Sequence, residues 1–214
     1  MQNRCIGIAA LFMLSACVHT ATPSQVRIAD ALVFDLLPPS GFGQNLLLTQ
    51  AATVWFGDER HELLFYTEIT ADTVTIVGTL PGGARLFSIV YDGQTIKSEG
   101  YQELLRTVTP EYLLADLQIS LWPLADVASS FAAANNCFQT DHCVFEETTD
   151  QLQRSLTRDD ERVINIRYTG LPHVEFSMQY EHLERAYRLQ IETLAVDVLE
   201  IESSESPSPP EVKP

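Results

Sequence analysis

Apolar and polar side chains alternate through most of the first half of the chain. Leu46 to Phe56 is β-prone and ends at Gly57-Asp58, a turn pair. His61 to Thr70 alternates, with Leu63, Phe65 and Ile69 on one face and Leu64 and Tyr66 on the other. Ala71-Asp72 turns the chain into a strand over Val74–Leu80, and Pro81-Gly82-Gly83 turns it again. Leu86 to Tyr91 follows, closed by the hairpin signal Asp92-Gly93. Short strands joined by tight turns predict an antiparallel meander. Several of them carry apolar side chains on both faces, so either both faces are covered or one is left for a ligand.

The period changes near Tyr101. Thr109 can cap a helix with Pro110 at its first position, and Leu113, Leu117 and Leu121 recur every four residues on one face. Taken alone, that stripe reads as core packing. Pro123 breaks the helix, and Leu124, Val127 and Phe131 continue as a second one that stops at Asn135-Asn136. Strands then resume. Val163 to Tyr168 is β-branched and ends in a turn at Gly170-Leu171-Pro172. Val174, Phe176, Met178 and Tyr180 alternate with polar residues, as do Tyr187, Leu189 and Ile191, and these two strands are expected to pair as a hairpin. Strands, a helical block and further strands predict an α+β fold, with one curved antiparallel sheet around helices.

The two ends read differently. Residues 1–16 hold Arg4, an apolar run from Cys5 to Leu14 and small residues before Cys17, a secretory signal too short to span a bilayer. Leu14-Ser15-Ala16-Cys17 resembles the lipobox of bacterial lipoproteins. The resemblance implies cleavage before Cys17, a diacylglyceryl group on its thiol and an N-acyl chain on its amine, with no other cofactor. Position +2 is Val18 rather than aspartate, which implies the periplasmic face of the outer membrane. Residues 17–43 read as a lipidated lead-in and tether, broken at Pro38-Pro39-Ser40-Gly41. Residues 44–201 form the expected domain, and residues 202–214, rich in Ser, Pro and Glu, form an acidic disordered tail.

Charge and cysteines narrow the partners. The net charge of −16, one unit more negative once Arg4 is cut away, repels phosphate backbones and argues against nucleic acid. It also repels anionic headgroups, which leaves an acyl anchor or apolar loops for membrane contact. Cys5 leaves with the signal and Cys17 is lipidated, so Cys137 and Cys143 remain and read as a disulfide in an oxidising compartment. The rival is a metal site that adds His142, but the spacing is not a usual zinc pattern.

Catalytic motifs fail in turn. No Gly-x-Ser-x-Gly elbow or phosphate loop is present, and Gly41-Phe42-Gly43 is not followed by the remaining glycine of a dinucleotide fingerprint. His61-Glu62 opens like a zinc-protease motif, but Phe65 takes the second histidine's place. Asp159-Asp160-Glu161 lies between Arg158 and Arg162 and reads as a solvated turn. The expectation is a protein that is not an enzyme.

From Leu46 to Leu199 the chain resembles the outer-membrane lipoprotein receptor LolB and its relatives, among them small lipoproteins encoded beside aryl-polyene biosynthesis enzymes. The hairpin Gly78-Thr79-Leu80-Pro81-Gly82-Gly83, the run Arg85 to Gly93 and the helical block to Trp122-Pro123-Leu124 carry the likeness. It implies an unclosed antiparallel barrel with helices covering the concave side and an apolar cavity for acyl chains. Candidate walls are Phe65, Ile76, Phe87, Leu117, Leu121, Phe176 and Met178. Leu80 is the nearest equivalent of a membrane-contacting leucine, unless it folds onto its own sheet. The implied function is to carry or insert a lipid or lipoprotein at the outer membrane, with a periplasmic carrier as a further partner. The alternative is a structural or interaction lipoprotein with a filled core that docks a periplasmic protein.

Overall fold

A computed structural model describes residues 19–21, 25–148, 150, 152–171 and 175–199. The first half runs β1 (His19–Ala21), β2 (Gln25–Ala29), β3 (Leu32–Asp35), β4 (Leu46–Phe56), β5 (Glu59–Ile69), β6 (Val74–Thr79), β7 (Arg85–Tyr91) and β8 (Ile96–Gly100). Three helices follow, α1 (Gln102–Thr107), α2 (Pro110–Leu121) and α3 (Leu124–Ala134). The chain then forms β9 (Cys143–Thr148), β10 (Gln153–Arg158), β11 (Glu161–Leu171), β12 (Glu175–His182) and β13 (Tyr187–Val198). Eleven strands make one curved, unclosed sheet in the order β1-β8-β7-β6-β5-β4-β13-β12-β11-β10-β9, and every pairing is antiparallel.

Alternation decides which face is inside. On β4, Leu46, Leu48, Gln50, Ala52 and Val54 are buried while the residues between them are half-buried. Phe65 and Ile69 on β5, Val74 and Ile76 on β6, and Phe87, Ile89 and Tyr91 on β7 continue the same face. The expected hairpin of β12 and β13 is present, with Met178 opposite Ile191 and Tyr180 opposite Leu189. Asp159 and Asp160 both have positive φ and make the tight β10–β11 turn.

The chain leaves the expected outline in several places. From Gln25 onward the lead-in is not a tether. β2 and β3 pair as a hairpin whose Val26, Ile28, Leu32 and Phe34 are buried, with the Phe34 ring 4.9 Å from that of Phe131. Side-chain amides complete its backbone. Asn135 accepts from Val33 N–H at 2.9 Å and donates to Val33 O at 2.7 Å, and Gln118 does the same for Leu37 at 2.8 and 2.7 Å. Buried amides paired in this way leave no unsatisfied polar edge. Strand β11 continues through Gly170 and Leu171, where a turn was expected, because both pair with β12. Strands β9 and β10 and the short helix α1 were not expected. Thr109 sits at the start of α2, but its side chain makes no capping bond.

The two cysteines form the expected disulfide, Cys137–Cys143, which ties the turn after α3 to the edge strand β9. The C-terminal end of α2 is bound just as firmly. Arg154 on β10 donates to the carbonyls of Ile119, Ser120 and Trp122, and the Tyr168 hydroxyl donates to Ser120 O at 2.7 Å. A cation at a helix C-terminus also meets the negative end of the helix dipole.

Candidate functional site

Helix α2 has two different apolar sides. Leu114, Ala115 and Ile119 are fully buried, and α2 packs against β2. Leu113 and Leu117 are only half-buried, and with Leu121 they face a cavity between helix and sheet. The leucine stripe is thus the wall of an open space rather than filled core. The cavity holds about 910 Å³, near the top of the range of about 300–1,000 Å³ common for small-molecule sites.

Six of the seven expected wall residues line it: Phe65, Ile76, Phe87, Leu117, Leu121 and Met178. Phe176 does not. It is buried on the same face of β12, but it lies beyond the last β12–β13 pair, Ser177–Glu192, and so past the end of the cavity. Leu80 stands at the rim, lining the opening with 43% of its surface exposed. Its N–H donates to Ala84 O and its carbonyl accepts from Gly83 N–H, so the β6–β7 turn holds the side chain out. Cys17 lies outside the described residues. Gly78 shapes the wall: a Cβ there would fall 2.4 Å from the Phe87 ring, so only glycine admits that ring across the β6–β7 pair.

A polar cluster that sequence reasoning missed occupies one wall. Asp116 of α2 accepts from the Tyr180 hydroxyl at 2.5 Å and from the Tyr187 hydroxyl. The residue is half-buried and lines the cavity. Burial lifts its pKa from 3.8 to about 6, against the opposing pull of the two phenols and Arg185. Burial, with Asp116 beside them, pushes both phenols well above the usual tyrosine value. Arg185 stacks 3.6 Å from the centre of the Tyr112 ring and donates to Ile28 O and Arg27 O. Its own N–H donates to His182 Nδ1 at 3.3 Å, which leaves Nε2 as the proton-bearing nitrogen facing Ile28 O at 3.0 Å. Burial, then Arg185, lower the His182 pKa from 6.5 to about 4. The one available signal for this cluster was an aspartate placed between Leu113 and Leu117.

A family model described as a protein of unknown function (DUF3261) matches residues 47–195. The chain belongs to the DUF3261 family. That match spans the cavity-lining strands from β4 to most of β13, and all of α2. No curated protein matches this DUF3261 chain. Among solved structures, a LolA-superfamily protein from Nitrosomonas europaea is 11% identical, covering 78% of this chain and 90% of its own, with a TM-score of 0.36. A domain named for outer-membrane lipoprotein sorting, from Vibrio parahaemolyticus, is 7% identical over 77% and 88% of the two chains, with a TM-score of 0.32. Likenesses this distant carry no weight for function; the cavity of the DUF3261 chain does. No helix among the described residues is long and apolar enough to cross a membrane.

Proposed function

We propose that this DUF3261 protein is a non-enzymatic lipoprotein, acylated at Cys17, that carries acyl chains in its cavity and delivers a lipid or acylated cargo at the outer membrane. The observation behind this reading is the unfilled apolar space of about 910 Å³ walled by Leu113, Leu117, Phe65, Phe87 and Met178. Acyl chains need no positioned catalytic group, because burial alone returns about 25 cal/mol per Å² of apolar surface. A scaffold with a filled interior has no use for such a space, so the cavity favours a carrier over a purely structural protein. The cargo class includes acylated proteins and single lipids such as polyene conjugates, received from a periplasmic carrier. Leu80 at the rim is the proposed membrane-contact residue.

The deciding experiment is mass spectrometry of lipid extracted from a soluble form that lacks Cys17 and is exported to the periplasm behind an ordinary cleavable signal peptide. Stoichiometric acyl lipid is expected. A folded protein that carries none, and that binds no fluorescent fatty acid on titration, would end the carrier reading.

A further inference from the structure

The first strand links the anchor to the cavity mouth. β1 pairs with β8 in the register His19–Ser98, Thr20–Lys97 and Ala21–Ile96. Because the pairing is antiparallel, β1 traced backward from His19 heads toward the Gly100 end of β8. That end is the cavity mouth. Gly100 pairs with Phe87 of the wall, and Tyr101 N–H donates to Leu86 O at 2.8 Å. A Cβ on Gly100 would sit 2.3 Å from Leu86 O, so the chain must be glycine where it leaves the sheet at the rim. Cys17 is two residues before His19, so its Cα lies within about 7 Å of the His19 Cα by chain reach alone.

From this we infer that the protein docks mouth-down on the same bilayer that holds its own anchor, so that the cavity opens directly onto that membrane. The inference rests on the acylation of Cys17 proposed above, but not on the cargo. Two residues are too few to act as a free tether. The acyl chains therefore draw the Gly100–Tyr101 corner to the surface. The rim there carries the two strongly exposed apolar side chains that also line the cavity, Leu80 at 43% and Tyr101 at 68% exposure. An aromatic ring with a hydroxyl suits the boundary between headgroups and acyl chains. Net charge does not supply the attraction, because the chain stands at −16. The turns at the opposite end of the sheet, Thr70–Thr73 and Asp92–Thr95, point away from the membrane in this arrangement.

The test uses the full acylated protein in phosphatidylcholine vesicles that contain a nitroxide-bearing lipid. A fluorophore is placed at Leu80→Cys, at Tyr101→Cys or, at the far end, at the exposed Asp72→Cys. Quenching several-fold stronger at the first two sites than at the third is expected. A spacer of about ten Gly and Ser residues between Val18 and His19 should release the corner and lower mouth quenching, with vesicle association unchanged. Equal quenching at both ends overturns the proposal, and so does a spacer without effect. An acyl chain of the anchor folded back into the cavity would leave the mouth labels unquenched and overturn it too. An empty cavity with a quenched mouth would instead remove the carrier reading and leave the docking in place.

Discussion

The hydroxyl of Tyr180 donates to Asp116 Oδ1 at 2.5 Å, joining β12 to α2 through a carboxylate in the cavity wall. Tyr187 donates to the other oxygen from β13. Helix and sheet are therefore pinned at a titratable group, and the Tyr187 ring lies 5.3 Å from that of His182, whose charge is suppressed by burial.

Asp116 and His182 should give opposite pH dependences in one window. The Asp116 pKa is raised from 3.8 to about 6 on folding, so its contribution is present below 3.8 and is lost as pH rises through about 6. The His182 pKa is depressed from 6.5 to about 4, so its contribution is present above 6.5 and is lost as pH falls through about 4. Each is worth up to about 3 kcal/mol, less where cavity water screens Asp116. The wild-type protein should thus show nearly flat stability between pH 4 and pH 6.5. Asp116→Asn should become more stable as pH rises across that window, and His182→Gln less stable. Urea unfolding at several pH values measures both, and parallel slopes in the two variants would contradict the assignment.

The two sides of α2 should respond differently to truncation. Ile119 is fully buried and Leu117 borders open space. Ile119→Ala should cost about 2–5 kcal/mol and leave acyl affinity intact in molecules that remain folded, while Leu117→Ala, which empties no filled core, should cost distinctly less. Leu117→Glu should cut fatty-acid affinity at least tenfold. Thermal melts and fluorescent fatty-acid titrations on the same preparations separate the two outcomes.

Leu80→Glu tests the rim. The side chain supports no core, so the melting temperature should be unchanged. Lipid acquisition should persist, because the cavity walls are intact, but transfer to acceptor liposomes should fall. A stable variant that transfers at the wild-type rate removes the contact role from Leu80.

Cys17→Ser should abolish incorporation of labelled palmitate and stop lipoprotein-type processing. Continued labelling of that variant would exclude the lipobox.

Replacing both Cys137 and Cys143 with Ser should lower stability by about 2 kcal/mol, the modest figure expected for so short a loop. Equilibrium unfolding of oxidised wild type against the double variant gives the value directly, and the native protein should resist thiol alkylation until reduced.

The strands from Leu46 to Tyr91 were legible because each alternates cleanly and ends in turn residues. β9, β10 and the full length of β11 were not. Ser155 and Leu156 are both buried at a register shift, and Val163 to Ile166 are buried in succession, so period-two reading fails there. The β2–β3 hairpin was hidden by its shortness and by the proline pair that follows it. Part of what holds it is the pairing of Val33 with Asn135, 102 residues away, which leaves no local trace. Six cavity walls followed from periodicity, whereas Phe176 failed because periodicity gives a side chain's face but not its position along the sheet. The Asp116 cluster draws its partners from 64 and 71 residues downstream, and only the completed sheet brings them together.

An unclosed sheet has two edges, and each is a template for strand pairing between molecules. At one, β8 is covered by β1, which spans only three residues. At the other, β9 carries the exposed Glu146, while the disulfide holds its Cys143 end and Glu147 is ion-paired with Arg154. A cover of three described residues and an edge charge at Glu146 both work against edge-to-edge polymerisation. If the proposed anchor is present, molecules would crowd in two dimensions, where such pairing is favoured by local concentration. The openness that leaves the cavity reachable also makes such a sheet prone to fibre growth, and its two edges are built to keep neighbouring copies apart.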